Sequence, residues 1–387
     1  MGRAVFLLSL AAFASAASLR ATDPLLPQIA ADFSVTTGTA SATVTAFALS
    51  YGLLQVVCGP LGDRYGRYRT IAVAAFVSAF GSAACALAPS LDALVAARLV
   101  SGATIGAFIP LALAWIGDTV VYEKRQPLLA RFLVGQMAGV AFGNAAAGWL
   151  GEHFGWRTIF YALAVLLLVI AVFLFVELRN PLVRSTARGS MRDSFRRMPL
   201  MLGNRRLRAL FATGYTEGLL IFGPLAFVAA YFQDRFKLGP GLAGTLVAAY
   251  ALGGMVYALL ARRAVRRLGE SGLALLGGAA LTIGYAGLAF APSAASATVC
   301  IASVGAGFYM LHTTVQIHVT QVSPEERGSA VALFATFLFL GQATGVWLAA
   351  RVLDAAGMMP VFVCAALGLA ALALAFRYFL SAGARGT

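Results

Sequence analysis

The chain has 387 residues, 60% of them apolar and 11% charged, with 29 Lys and Arg against 15 Asp and Glu. No soluble globule of this size could hide so much apolar surface, so lipid is the solvent the chain is built for. The formal charge of +14 does not point to nucleic acid, because the basic residues are confined to short segments between long apolar stretches.

The opening, MGRAVFLLSLAAFASAAS, has a basic start, an apolar run and small residues in an A-x-A pattern. A secretory signal peptide has the same layout. Here the apolar stretch continues through Ala21 and more membrane-type sequence follows, so a first transmembrane helix is the better reading. Six spans are predicted at 4–28, 40–61, 70–89, 92–117, 128–150 and 157–178. The interval from Phe33 to Gly62 is thirty residues without a charge, more than one span needs. Runs such as VLLLVIAVFLFV lack the period-two alternation of barrel strands, which leaves helices as the only way to satisfy the backbone in lipid.

Residues 179–208 then hold nine arginines against one acid, Asp193, with Pro181 and Pro199 as helix breakers. This segment is predicted to be a basic linker anchored beside anionic headgroups. A further set of six spans follows at 209–232, 240–261, 271–291, 295–319, 328–351 and 359–380. Within it, Ser271 to Pro324 runs 54 residues without a charge and fits two helices joined at Ala291, Pro292 and Ser293. The expected organisation is a six-helix bundle over 1–178, the linker at 179–208, and another bundle over 209–387 ending in a short tail.

With these spans, 23 of the 29 Lys and Arg lie in loops and helix ends on the side of the N-terminus, and four lie opposite: Arg157, Arg235, Lys237 and Arg351. The positive-inside rule then puts both termini in the cytoplasm, with a bacterial inner membrane as the expected location. Cys58, Cys85, Cys300 and Cys364 fall in or beside apolar runs without metal or redox spacing and read as packing residues.

Weak internal repetition is visible. LGDRYGR after the second helix aligns without gaps with LARRAVR after the eighth, matching Leu61, Arg64 and Arg67 to Leu260, Arg263 and Arg266. A G-Q-x-x-G spacing occurs at Gly135, Gln136 and Gly139 and again at Gly341, Gln342 and Gly345. Duplicated halves are a common construction in secondary transporters.

At residues 59–69 the chain reads GPLGDRYGRYR. It resembles the G-x-L-A-D-R-x-G-R-[RK] signature of the major facilitator superfamily, and it falls between the second and third helices, where that family keeps it. Tyr68 departs from the pattern, with Arg69 following; the mirror loop has Arg262 where Asp63 stands. Gly59 and Gly62 are expected to let helix ends approach, and Gly66 to permit a tight turn. Asp63 is suited to a helix N-terminus or an arginine, and Arg64 and Arg67 to acids and carbonyls. The resemblance implies a twelve-helix fold of two bundles, a monomer, and a cytoplasmic latch at this loop that holds an outward-open state.

Two further stretches are similar to family patterns: RLVSGATIGA from Arg98, and GVAFGNAAAG from Gly139 to Gly148. The stretch from Gly139 resembles the G-x-x-x-G-P-x-x-G-G antiporter pattern, except that Asn144 replaces its proline and Ala147 a glycine. Close helix packing accounts for the glycines equally well.

A charge at the bilayer centre costs about 2.5–3.5 kcal/mol on insertion scales, so each needs a partner or a use. Arg20 and Asp23 are three apart on one helix face, and Pro24 and Pro27 follow, opening backbone carbonyls. Arg98 of the antiparallel fourth helix reaches a similar depth. One reading is a cluster facing a central cavity, with Asp23 exchanging a proton and the surplus positive charge favouring an anionic substrate; the other is a permanent ion pair. Glu217 lies near the midplane with Tyr215 and Thr216 beside it and no basic residue of its own helix in reach. An acid so placed is expected to hold a proton, either as a carrier or in a plain interhelical hydrogen bond. His312 and Gln316, four apart, share a face and are expected to line the cavity, with Gln136, Asn144 and Tyr215 as weaker candidates. His318 points elsewhere, so no metal site is expected.

No phosphate-binding G-x-x-x-x-G-K-[ST] loop occurs and no cofactor is called for. The chain resembles the drug:proton antiporter branch, which implies export of a small organic solute in exchange for protons. A metabolite uptake symporter or uniporter on the same scaffold is the alternative, kept open by the altered fifth-helix pattern. A transport-inactive sensor is the reading from a different class, and no catalytic constellation suggests an enzyme.

Overall fold

The computed structural model describes residues 2–120, 122–180, 183, 201–322 and 327–384. Most of the basic linker expected at 179–208, and the end of the tail, lie outside these residues. Among the described residues the regular elements are all helical, and ten stretches are long and apolar enough to cross a membrane. In chain order the first four are α1 (Gly2–Asp32), α2 (Thr37–Tyr65), α3 (Arg67–Ala86) and α4 (Leu91–Thr119). Then come α5 (Tyr122–Phe154), α6 (Arg157–Glu177) and α7 (Arg205–Phe236).

The stretch Pro240–Ala289 is two helices, α8 and α9, joined at Gly269, whose φ of 63° and ψ of −177° only glycine adopts readily. The chain closes with α10 (Ala294–Val322), α11 (Arg327–Ala356) and α12 (Met358–Ala384). Counting α5, whose first turn is charged, and dividing α8 from α9 turns the ten stretches into twelve helices. Polar caps sit at the ends: Ser90 Oγ accepts from Ala93 N–H, and Asn204 Oδ1 from Arg206 and Leu207 N–H.

The twelve helices form two six-helix bundles related by a pseudo-twofold axis, and glycine notches make the relation visible. A Cβ at Gly135 of α5 would lie 3.0 Å from the Ser9 carbonyl of α1, and one at Gly139 would collide with the Phe13 carbonyl a turn further on. In the C-terminal half, Gly341 and Gly345 of α11 meet the Tyr215 and Leu219 carbonyls of α7 in the same way, at the same offset along the chain. Gly102 of α4 packs on the Phe47 carbonyl of α2, and Gly305 of α10 on the Tyr250 carbonyl of α8, again at one shared offset. Without a hydrophobic force between helices in lipid, such backbone contacts supply the packing energy.

α1 and α7 are also both interrupted, at different heights. α1 tightens into a single 3₁₀ turn at Asp23–Leu25 around Pro24. α7 instead widens into a π turn at Gly218–Phe222, just ahead of Pro224. The halves meet through α2 against α11 and α5 against α8. α5 lies closely along the first segment of α8, Pro240–Val247, and touches its continuation far less, so the halves are tightest at the face opposite the chain ends.

Candidate functional site

Each half buries one acid at its interrupted helix. In α1, Asp23 is 1% exposed and Arg20 3%, and Arg20 Nη1 donates to Asp23 Oδ2 at 3.1 Å. Asp23 Oδ1 has no hydrogen-bond partner among the described residues. Arg98 is within Coulombic reach of Asp23 but does not bond to it. Its Nε donates to the Thr43 carbonyl at 3.3 Å and its Nη1 to the Ser18 carbonyl at 3.1 Å. The guanidinium lies 4.0 Å from the Phe47 ring centroid and 5.8 Å from that of Phe160. Arg98 therefore ties α4 to α1 and α2. Two of its nitrogens are held by backbone carbonyls, while Nη2 is buried without a hydrogen-bond partner among the described residues.

In α7, Glu217 is fully buried, and its isolation, expected from its own helix alone, does not hold. His312 Nδ1 of α10 lies 3.0 Å from Glu217 Oε2. Counting depth along two antiparallel helices matches these residues, but depth says nothing about which faces meet. Glu217 Oε1 is without a partner among the described residues, as are Tyr250 Oη and Gln342 Nε2. The π turn begins directly after Glu217, and Tyr285 donates to the Ile221 carbonyl within it. Widened turns of this kind recur at functional positions.

Between the two acids runs a row of contacts that the sequence did not suggest. Arg20 of the N-terminal half lies 5.0 Å from the ring centroid of Phe222 in the C-terminal half. Phe222 packs edge-on against Phe308 at 5.0 Å, and Phe308 stacks on His312 at 4.7 Å. His312 then closes on Glu217. Tyr250 flanks the row, its ring centroid 6.4 Å from that of Phe222 and 6.1 Å from that of Phe308.

The weaker candidates divide. Asn144 is buried, its Nδ2 donating to the Val140 carbonyl at 3.2 Å and its Oδ1 unpartnered among the described residues. Gln136, Tyr215 and Gln316 are half-buried. His318 turns away from His312 and pairs with Glu270 at 3.0 Å. No group of three metal-ligating side chains occurs among the described residues.

At the face of the chain ends, Arg67 bridges two acids: Nη2 to Asp63 at 3.0 Å and Nη1 to Asp118 of α4 at 2.7 Å. Arg64 lies over the Tyr65 ring at 5.2 Å. Gly66 adopts a φ of 88°, and a Cβ at Gly62 would sit 2.5 Å from Leu111 Cδ2. Gly59 departs from expectation, because a Cβ there meets nothing within 4 Å. Its neighbours do not require a glycine.

Compared with known proteins, residues 8–346 match the family model described as Major Facilitator Superfamily. The uncharacterized MFS-type transporter YwfA of Bacillus subtilis (strain 168) is 24% identical over 372 residues, covering 93% of this chain and 88% of that protein. The multidrug export protein EmrB of Haemophilus influenzae is 29% identical over 154 residues, 40% of this chain and 30% of that protein. Among solved structures, the nucleoside transporter NupG superposes with a TM-score of 0.76 at 14% identity, covering 97% of this chain and 99% of its own.

Proposed function

The chain belongs to the major facilitator superfamily and is a multi-pass membrane transporter; from that premise we propose that it exports a small organic solute in exchange for protons by alternating access. The observation that carries this reading is the row from Asp23 through Arg20, Phe222, Phe308 and His312 to Glu217. It sets two buried carboxyl groups, one in each half, at the two ends of a single line of contacts across the interface. Each has one oxygen paired with a base and one unpartnered among the described residues. Acids buried in the membrane are costly and are kept where they move charge. The similarity to a protein named a multidrug exporter supports export as the direction.

In this reading the units 1–178 and 209–387 rock against each other in a bacterial inner membrane, as a monomer with both termini cytoplasmic. Asp23 and Glu217 carry the proton, Arg20 and His312 hold them, and Arg98 fixes the site in the N-terminal half. Gly62, Asp63, Arg64, Gly66 and Arg67 form the cytoplasmic latch. Gln136, Asn144, Tyr215 and Gln316 line the path. One proton crossing about 150 mV releases roughly 3.5 kcal/mol, enough for a solute gradient of a few hundredfold.

The test is a panel of organic ions and metabolites offered to inside-out vesicles energised by respiration. Antiport predicts that adding a substrate dissipates the proton gradient, and that Asp23→Asn and Glu217→Gln abolish this. Proton entry in the same direction as the solute would replace export by uptake symport. Wild-type behaviour of both variants would remove the proton role of these acids.

A further inference from the structure

The face opposite the chain ends is closed by two contacts that mirror each other. Glu152, at the end of α5 in the N-terminal half, accepts a hydrogen bond through Oε2 from the Gly241 N–H of α8 at 2.7 Å. Asp354, at the end of α11 in the C-terminal half, accepts through Oδ1 from the Gly38 N–H of α2 at 3.1 Å and through Oδ2 from the Thr36 hydroxyl at 2.6 Å. Gly38 and Gly241 are each the second residue of a membrane helix, and they are related by the same chain offset as Phe47 and Tyr250, the notches beneath them. Each half thus sends one carboxylate to the first turn of the other half's second helix.

The first turn of a helix leaves N–H groups without intrahelical partners, and its end of the helix dipole is positive. α8 has no side-chain cap of its own: it starts at Gly239, and Pro240 carries no N–H, so Gly241 offers an early free donor. Both glycines are also fitted to their carboxylates. A Cβ at Gly241 would lie 2.7 Å from Glu152 Oε2, and one at Gly38 would collide with Asp354 Oδ2. Below the clamps, Gly148 packs on the Pro240 carbonyl and Gly244 on the Asn144 carbonyl, while Gln233 Nε2 donates to the Pro24 carbonyl at 2.8 Å. All of these contacts cross between the halves.

We propose that Glu152 and Asp354 are a pair of gate residues whose carboxylates, seated on the twofold-related Gly241 and Gly38, hold the outer face of the transporter shut. The pair rests on the alternating-access reading above. It stands at the end of the molecule away from Asp63 and uses acids on α5 and α11, where the other end uses one in the last turn of α2. Its partners are backbone N–H groups and the Thr36 hydroxyl, so it needs neither solute nor proton gradient to act. Releasing both carboxylates frees the first turns of α2 and α8 together, which opens the outer face while leaving each bundle intact.

The experiment is a distance measurement between spin labels at Phe154→Cys and Phe290→Cys, exposed outer positions in opposite halves, in full-length protein reconstituted into lipid with the four native cysteines replaced. A charge-assisted hydrogen bond at an exposed site predicts that Glu152→Ala and Asp354→Ala each lower the closed-to-open ratio about tenfold, and together about a hundredfold if the sites are independent. Glu152→Gln and Asp354→Asn keep an acceptor and should recover part of each loss. Gly38→Ala and Gly241→Ala, which leave every charge in place and displace the carboxylate, should widen the same distance. Asp234→Asn, an exposed acid on that face paired at 3.4 Å with Lys237 of its own half, should not. An unchanged distance distribution in the double alanine variant overturns the proposal, as does widening that appears only with loss of thermal stability. Widening in a protein that moves no tested solute supports the gate and counts against the transport reading alone.

Discussion

Asp23 in the N-terminal half and Glu217 in the C-terminal half are both buried, both beside a break in their helix, and both half-satisfied, yet they keep different company. Asp23 is paired with an arginine, which holds its charge under all ordinary conditions, and another arginine stands near it, held by two backbone carbonyls. Glu217 is paired with a histidine, whose ring can give up or take a proton and can exchange donor and acceptor roles. The N-terminal half therefore sets its acid against an arginine, and the C-terminal half sets its acid against an imidazole. The π turn beside Glu217, against the tight proline turn beside Asp23, adds conformational freedom on the same side.

The sharpest way to break this contrast is at Arg98. If it is scaffold, Arg98→Ala removes two hydrogen bonds between helices and leaves a gap between Phe47 and Phe160, costing on the order of 3 kcal/mol. Thermal unfolding in detergent measures this, and Arg98→Lys should restore only part of it, since an ammonium cannot reproduce the planar fork. A normal melting temperature with altered transport would make Arg98 part of the working site instead. Next comes Glu217→Gln, which keeps a hydrogen-bonding group against His312. Driven solute gradients should fall by roughly two orders of magnitude, the range one proton sustains, while solute exchange without a gradient continues.

Smaller in effect is Gly218→Ala at the π turn, where a Cβ would press on the Leu338 carbonyl. Overpacking of this kind costs about 1–3 kcal/mol, and the corresponding wall of α1 should show no equivalent sensitivity. Asp118→Asn removes the shorter of the two contacts to Arg67 at a site that is more than half exposed. A loss below about 1 kcal/mol, reduced by salt, is expected. Smallest is Gly59→Ala, which should be neutral or raise stability by about 0.5 kcal/mol, whereas Gly62→Ala in the same turn should lower it against Leu111. Parallel melting curves of the two alanine variants check the pair.

The fold was largely legible because membrane helices advertise themselves by length and by the absence of charge, and the basic loops divide one side from the other. The loop around Asp63 was legible because its residues interact with near neighbours in sequence: Arg67 is one turn from Asp63. The site was legible only within single helices. Arg20 and Asp23 could be paired from their spacing, but the pairing of Glu217 with His312 joins α7 to α10 and depends on how those helices rotate about their axes, which no periodicity in an all-apolar helix records. The anchoring of Arg98 escaped for a related reason: its partners are backbone carbonyls, which every residue carries and no residue name announces. Gly59 matches the family pattern without a contact to explain it, because no neighbouring helix approaches there.

The notches at Gly135, Gly139, Gly341 and Gly345 carry one more consequence. Helices that meet backbone to backbone keep their register at points where no side chain is attached, so the coordinates of the frame are stored in a handful of glycines. Such a scaffold can drift far in sequence and exchange its cargo lining piece by piece without being redesigned, and a lineage inheriting it inherits the machine before it inherits a substrate.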